Sequence, residues 1–124
     1  MAEKKNNKVL VVDDDPGVVK LMKKILSDEG YGVETAENGL AAMDQVRKSK
    51  PCLIVLDIMM PEMNGYEVCR SLKFDSPYKD IPILLLTARD QEIDARIGKL
   101  MGIHYLQKPL NREVFLATVR QILK

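Results

Sequence analysis

The sequence has no apolar run long enough to cross a membrane, and no apolar segment of signal-peptide length follows its polar N-terminus. It has two cysteines, Cys52 and Cys69, without C-x-x-C spacing, and one histidine, so neither a disulfide framework nor a zinc-type site is predicted. Lys and Arg number 19 against 18 Asp and Glu, so no overall positive field would attract nucleic acid or an anionic membrane. We therefore expect a cytoplasmic protein with free thiols, no direct nucleic-acid binding and no membrane attachment.

Short apolar runs alternate with stretches of helical spacing along the whole chain. The predicted strands are residues 9–12, 31–36, 53–56, 83–86 and 105–107. The apolar residues of four predicted helices fall within 18–26, 40–48 and 90–101 and from 111 onward. A further helix begins at 65 and is ended by the residues at 75–77.

This alternation predicts an α/β fold, because consecutive strands joined by helical crossovers form a parallel sheet covered on both faces. The strand runs show little alternation of apolar and polar residues, which fits burial on both faces. We expect one domain over residues 8–124, built as a doubly wound five-stranded parallel sheet flanked by five helices. Residues 1–7 are polar and are expected to form a mobile N-terminal segment.

Polar side chains follow four of the five predicted strands, whereas no polar residue is assigned to the end of the second strand. Asp13 and Asp14 follow the first strand, Asp57 the third, Thr87 the fourth and Lys108 the fifth. Each taken alone is better explained as a helix cap, a turn residue or a solvated side chain. Together they favour a functional site, because ligands of parallel α/β sheets bind outside the carboxyl ends of the strands.

Carboxylates gathered at one sheet edge need a cation, since two of them about 4 Å apart repel by roughly 4 kcal/mol at an effective dielectric constant of 20. An all-oxygen ligand set without soft donors suits Mg²⁺. Mg²⁺, the ammonium of Lys108 and the hydroxyl of Thr87 would together stabilise charge on a phosphoryl group. Asp57, where a buried strand enters a loop, is the best candidate for a covalent phosphoryl acceptor.

Several motifs occur in an order and spacing that resemble the receiver domain of two-component response regulators, of the chemotaxis-regulator type. They are Val-Val-Asp-Asp-Asp-Pro at 11–16, Leu-Asp-Ile-Met-Met-Pro-Glu-Met-Asn-Gly at 56–65, Asp-Ile-Pro-Ile at 80–83, Leu-Thr-Ala at 86–88 and Lys-Pro at 108–109. The resemblance covers nearly the whole chain from Lys8 and implies a flavodoxin-like fold with strand order 2-1-3-4-5.

The resemblance implies that Asp57 accepts a phosphoryl group from a phosphohistidine of a partner kinase. It implies that Asp14, Asp57 and the backbone carbonyl of Met59 bind Mg²⁺, with Asp13 acting through water. The chain is then a phosphoprotein of a two-component phosphorelay, with intrinsic phosphorylation and dephosphorylation chemistry, and is not otherwise an enzyme.

The resemblance also implies a switch. Thr87 and Lys108 would contact the phosphoryl group, and Tyr105 aligns with an aromatic residue that moves inward with Thr87. Met59 and Arg89 border the path of attacking water and are candidates for tuning the phosphoryl lifetime. Near Tyr105 the sequence departs from the family pattern, because only Ile103 and His104 separate that residue from Gly102.

The implied partners are a sensor histidine kinase or phosphotransfer protein, and an output partner or effector domain reached through the surface of the fourth helix, fifth strand and last helix. The sequence is compatible with a homodimer that forms on phosphorylation. It is also compatible both with a chain that acts alone and with one domain of a longer regulator. One alternative is a Mg²⁺-dependent phosphatase with an aspartyl-phosphate intermediate, which would want an Asp at position 59, where Met59 stands. Another is a nucleotide- or flavin-binding module, which would want a Gly- or Ser/Thr-rich loop in place of residues 13–15.

Overall fold

A computed structural model of the chain describes residues 7–58, 65–74, 76–87, 103–108 and 110–124. Its strands are β1 (Lys8–Val12), β2 (Gly32–Ala36), β3 (Leu53–Asp57), β4 (Ile83–Thr87) and β5 (Ile103–Gln107). Its helices within those ranges are α1 (Pro16–Asp28), α2 (Gly39–Ser49), α3 (Gly65–Phe74) and the C-terminal helix α4 (Arg112–Leu123), with a short 3₁₀ turn at Ser76–Tyr78.

The strands form one parallel sheet in the order β2-β1-β3-β4-β5, as predicted. The central strands β3 and β4 are buried along their whole length, and β1 is buried from Val9 onward. Such continuous burial explains why these strands read as unbroken apolar runs in the sequence.

Two hydrophobic clusters lie on opposite faces of the sheet, because successive strand residues point to opposite sides. Leu10 and Val12 of β1 pack in the cluster that α2 and α3 cover. Val9 and Val11 pack in the cluster that α1 and α4 cover, which includes the fully buried Phe115. This arrangement confirms the predicted doubly wound α/β architecture.

Helices α1, α2 and α4 each begin at a side-chain cap. Asp15 caps α1 by accepting from the Gly17 N–H at 2.9 Å, and Pro16 occupies the first turn, where its missing N–H costs nothing. Asn38 and Asn111 cap α2 and α4 in the same way. Asp15 is therefore a capping residue.

The structure corrects some local predictions. β5 begins at Ile103, two residues earlier than predicted, so His104 lies within this strand, although its side chain is exposed. Leu40, the first apolar residue of the predicted stretch 40–48, is 58% exposed and does not pack in the core. Steps of three residues drift by about 60° around a helix, and Gly39, Met43 and Val46 share a narrower face that excludes Leu40.

Two further predictions concern residues that the structure does not describe. The helix predicted over 90–101 lies outside the described residues, as does the predicted mobile segment apart from Asn7. The side chain of Asn7 donates to the Gly30 carbonyl at 2.9 Å. Among the described helices, no segment has the length and apolar character needed to span a bilayer.

Candidate functional site

Strand register brings the predicted polar residues to one edge of the sheet. Val12 pairs with Leu56, so Asp13 and Asp57 leave neighbouring strands side by side. Asp57 in turn pairs with Leu86, directly before Thr87. Asp13, Asp57 and Thr87 are 1%, 6% and 2% exposed, and they are the buried polar residues among those described. Buried carboxylates require compensating charge, so this edge is the strongest candidate site.

Asp13, Asp14 and Asp57 form a carboxylate cluster in which one oxygen of each lies within 4.8 Å of the others. Asp14 is exposed, so the cluster is open to solvent on one side. Hard oxygen donors on an accessible edge fit a divalent cation such as Mg²⁺, which keeps several of its waters. The three carboxylates of the predicted metal site therefore lie together at this edge of the sheet.

Lys108 follows β5 and reaches across the edge to two of the acids. Its Nζ lies 3.1 Å from Oδ1 of Asp57 and 3.5 Å from Oδ2 of Asp13. Burial works against the charge on Lys108, but hydrogen bonds and charges from Asp57 and Asp13 outweigh it and raise the pKa of the amine. The backbone N–H of Lys108 donates to the Thr87 carbonyl at 2.7 Å, which fixes where the side chain starts.

Asp13 is buried close to a second buried carboxylate, that of Asp57. Burial raises its pKa and the nearby charge of Asp57 adds to the effect, while the backbone N–H of Asp15 and the charge of Lys108 act in the opposite direction. The Asp15 N–H donates to Oδ1 of Asp13 at 2.9 Å and so orients the carboxylate. A carboxylate with a raised pKa in a cluster of acids is typical of a site built for a cation or for chemistry.

Thr87 and Tyr105 share one face of the sheet. Tyr105 of β5 pairs with Leu85 of β4, and Thr87 lies two residues beyond Leu85, so all three side chains leave the same face. Tyr105 is half-buried and packs against the cluster under α2 and α3. The predicted pair therefore lies on neighbouring strands of one face, in diagonal positions.

Met59, Arg89 and Pro109 lie outside the described residues. These include the predicted carbonyl ligand of the metal, Met59, and both residues predicted to border the path of attacking water, Met59 and Arg89. Glu37, which was not among the predicted site residues, directly follows β2 and lines a cavity of about 630 Å³ together with Asp13 and Asp14. The second strand end therefore does carry a polar residue. Glu37 comes immediately after Ala36, the last residue of β2, and this position in the sequence could have identified it as a strand-end residue.

Comparisons with known proteins agree with this geometry. Residues 9–120 match the family described as response regulator receiver domain. The chain is 43% identical over 118 residues to the response regulator MprA of Mycobacterium sp. (strain KMS), covering 94% of this chain and 50% of MprA. A relative of the same name from Mycobacterium avium (strain 104) is also 43% identical over 118 residues, which cover 94% of this chain and 51% of that protein. The chain thus spans about half the length of the curated relatives it matches.

Solved structures share the fold over nearly the whole chain. The chemotaxis response regulator CheY4 of Vibrio cholerae superposes with a TM-score of 0.86 at 36% identity, covering 96% of this chain and 100% of that one. The signal receiver domain of a histidine kinase from Syntrophus aciditrophicus gives a TM-score of 0.84 at 33% identity, covering 94% and 89%. Family match, sheet order and acidic strand-end cluster agree, and the chain belongs to the response regulator receiver domain family of two-component signalling proteins.

Proposed function

We propose that Asp57 is the phosphoacceptor of this receiver domain. The observation that carries the proposal is the contact between Oδ1 of Asp57 and Nζ of Lys108 at 3.1 Å, at a strand end where two more carboxylates lie within 4.8 Å. Asp57 is buried, and the ammonium of Lys108 lies beside its carboxylate. A carboxylate held in this way is placed to attack phosphorus and to be shielded afterwards.

The proposed metal is Mg²⁺, held by Asp14, Asp57 and the backbone carbonyl of Met59, with Asp13 acting through water. When bound, Mg²⁺ supplies positive charge that stabilises phosphoryl oxygens. The carboxylate cluster supports the first part of this assignment, and the family resemblance supplies the Met59 carbonyl.

The chain's own residues perform the transfer. A carboxylate oxygen of Asp57 forms a bond to phosphorus as the phosphorus–nitrogen bond of the donor's phosphohistidine breaks, and the histidine nitrogen keeps the electron pair. The ammonium of Lys108 then pairs with a phosphoryl oxygen, and the hydroxyl of Thr87 donates a hydrogen bond to another. Asp57 returns to its carboxylate by hydrolysis: water attacks phosphorus, the bond from phosphorus to the Asp57 oxygen breaks, and inorganic phosphate leaves. Met59 and Arg89 are proposed to set the rate of this step.

Signalling follows from movement of Thr87 toward the phosphoryl group, with Tyr105 turning inward on the same face of the sheet. The output surface is proposed to comprise β5, α4 and the helix predicted over 90–101. A sensor histidine kinase or phosphotransfer protein is the proposed donor, and an output partner, effector domain or second phosphorylated copy is the proposed receiver of the signal. The two free thiols support a cytoplasmic location.

Intact-mass measurement after incubation with acetyl phosphate tests the proposal. We expect one added phosphoryl group in the native chain with Mg²⁺, and none without Mg²⁺ or in Asp57→Asn. Asp44→Asn is the matched control, because Asp44 is an exposed acid on α2 paired with Arg47. Labelling that persists in Asp57→Asn would overturn the assignment of the acceptor.

A further inference from the structure

Gly65, the first residue of α3, lies against the backbone of the phosphoacceptor. A Cβ built on Gly65 would stand 2.7 Å from the carbonyl oxygen of Asp57 and 2.9 Å from Cα of Ile58. It would also lie 3.2 Å from a methyl carbon of Leu85. Two of these three neighbours are backbone atoms, which cannot rotate away, so any larger residue here has to displace β3 or the helix.

The close approach is held by hydrogen bonds that continue across the sheet edge. The N–H of Gly65 donates to the Ile58 carbonyl at 3.0 Å, and the N–H of Ile58 donates to the Leu86 carbonyl at 3.2 Å. The start of α3 is therefore tied through Ile58 to the end of β4, directly before Thr87.

We infer that Gly65 is a positioning residue for the phosphoacceptor, an inference that rests on the proposed function of Asp57. By having no side chain, Gly65 lets α3 seat against the Asp57–Ile58 backbone and fixes the end of β3. The Asp57 carboxylate is thereby held 3.1 Å from Lys108 Nζ and within 4.8 Å of the other acids. Gly65 touches no reacting atom and acts through the main chain of its neighbour.

Helix propensity and the close contact predict opposite results for Gly65→Ala. Alanine is the better helix former, so propensity alone predicts a more stable protein with unchanged reactivity. The contact instead predicts that the Asp57 backbone shifts by several tenths of an ångström. Because a misplacement of about 1 Å can slow a reaction roughly 100-fold, we expect the rate of phosphoryl acceptance to fall at least about tenfold.

The experiment compares the native chain, Gly65→Ala and Gly32→Ala by intact mass, at saturating Mg²⁺ and acetyl phosphate. Gly32→Ala is the control, since its Cβ would meet nothing closer than 3.6 Å. Saturation separates a slower transfer step from weaker donor binding. We expect Gly32→Ala to match the native rate within about twofold, and Gly65→Ala to be at least tenfold slower although folded by circular dichroism.

Proton–nitrogen NMR adds a readout that a general loss of stability would not give. The amide shifts that change in Gly65→Ala should centre on Asp57, Ile58 and Leu86. A native chain that labels, with a Gly65→Ala variant that labels within twofold of it, would overturn the inference alone. A native chain that does not label would overturn the proposed function and the inference with it.

A measurement on the native chain decides the matter if Gly65→Ala fails to fold. The inference requires the amides of Gly65 and Ile58 to exchange with deuterium as slowly as those in the interior of β3. Exchange of either amide at the rate of an exposed loop would show that the α3 contact does not fix the end of the strand, and would overturn the inference.

Discussion

Asp13→Asn is the substitution that tests the electrostatics of the site most directly. Asparagine keeps the size of the side chain and its oxygen, which accepts from the Asp15 N–H, but it removes one negative charge from a nearly inaccessible position. Unit charges 4.8 Å apart, the span of the cluster, repel by about 3.5 kcal/mol at an effective dielectric constant near 20. The ammonium of Lys108, 3.5 Å from Asp13, offsets a comparable amount of this repulsion. The free-energy cost of removing the Asp13 charge from water is then left without compensation.

The direction of the effect follows from the raised pKa of Asp13, which means that the folded state disfavours its charged form. Stability from this group is therefore fully present below the unfolded pKa of 3.8 and is lost as pH rises through the higher folded pKa. The Asp13→Asn variant does not lose this stability, because the asparagine side chain stays neutral as the pH rises. Without metal at about pH 7, we expect the free energy of unfolding to increase by about 1–2 kcal/mol.

Urea unfolding in a chelator, repeated across the pH range, measures this difference. The advantage of Asp13→Asn should disappear below pH 3.8, where Asp13 is protonated in both states. Saturating Mg²⁺ should reduce the stability advantage of Asp13→Asn. A bound cation stabilises the native cluster of three carboxylates more than the cluster of two that remains in the variant. The exposed control Asp44→Asn should change stability by less than about 0.5 kcal/mol. A metal-free Asp13→Asn protein less stable than the native chain near pH 7, or an advantage that does not vary with pH, would refute the reasoning.

Three further substitutions have expected results. Lys108→Met should raise the pKa of Asp13 further, because the charge and hydrogen bond of Lys108 now lower it; carbon NMR titration of the carboxyl measures this, and an unchanged pKa would contradict the proposed pairing. Asn38→Ala should cost about 1 kcal/mol in thermal unfolding, since it removes the 2.8 Å cap on the Ala41 N–H; a neutral result would mean that water replaces the cap. Phe115→Ala should cost about 3–5 kcal/mol in urea unfolding, because the ring is fully buried, and a loss under 1 kcal/mol would show that the core closes around the gap.

The order and type of the described elements could be predicted because the sequence carries two separate periods. The run 53–56 is buried on both faces, and Asn111 stands as a cap where the last helical period begins. The element ends were harder. Ile103 and His104 join β5 by pairing with Ile83 and Leu84, and this pairing depends on a neighbouring strand rather than on local sequence.

The site was predictable to the extent that it depends on strand ends. Asp13, Asp57 and Thr87 meet because parallel strands deliver their last residues to one edge, a rule that needs only the strand assignments. The depth of burial of Asp13 and the contact of Gly65 with Asp57 were not predictable, because both depend on distances between elements of tertiary structure.

Lys108 and Asp13 are 95 residues apart in sequence, and β1 and β5, the strands beside them, are separated by β3 and β4. Closing so long a loop is among the slow events in the folding of a chain. A molecule that has not yet docked β5 would hold its acids without their lysine. The capacity to accept a phosphoryl group should therefore return late when the denatured chain refolds, after most of the helical signal has recovered, and mass labelling can time the completion of folding.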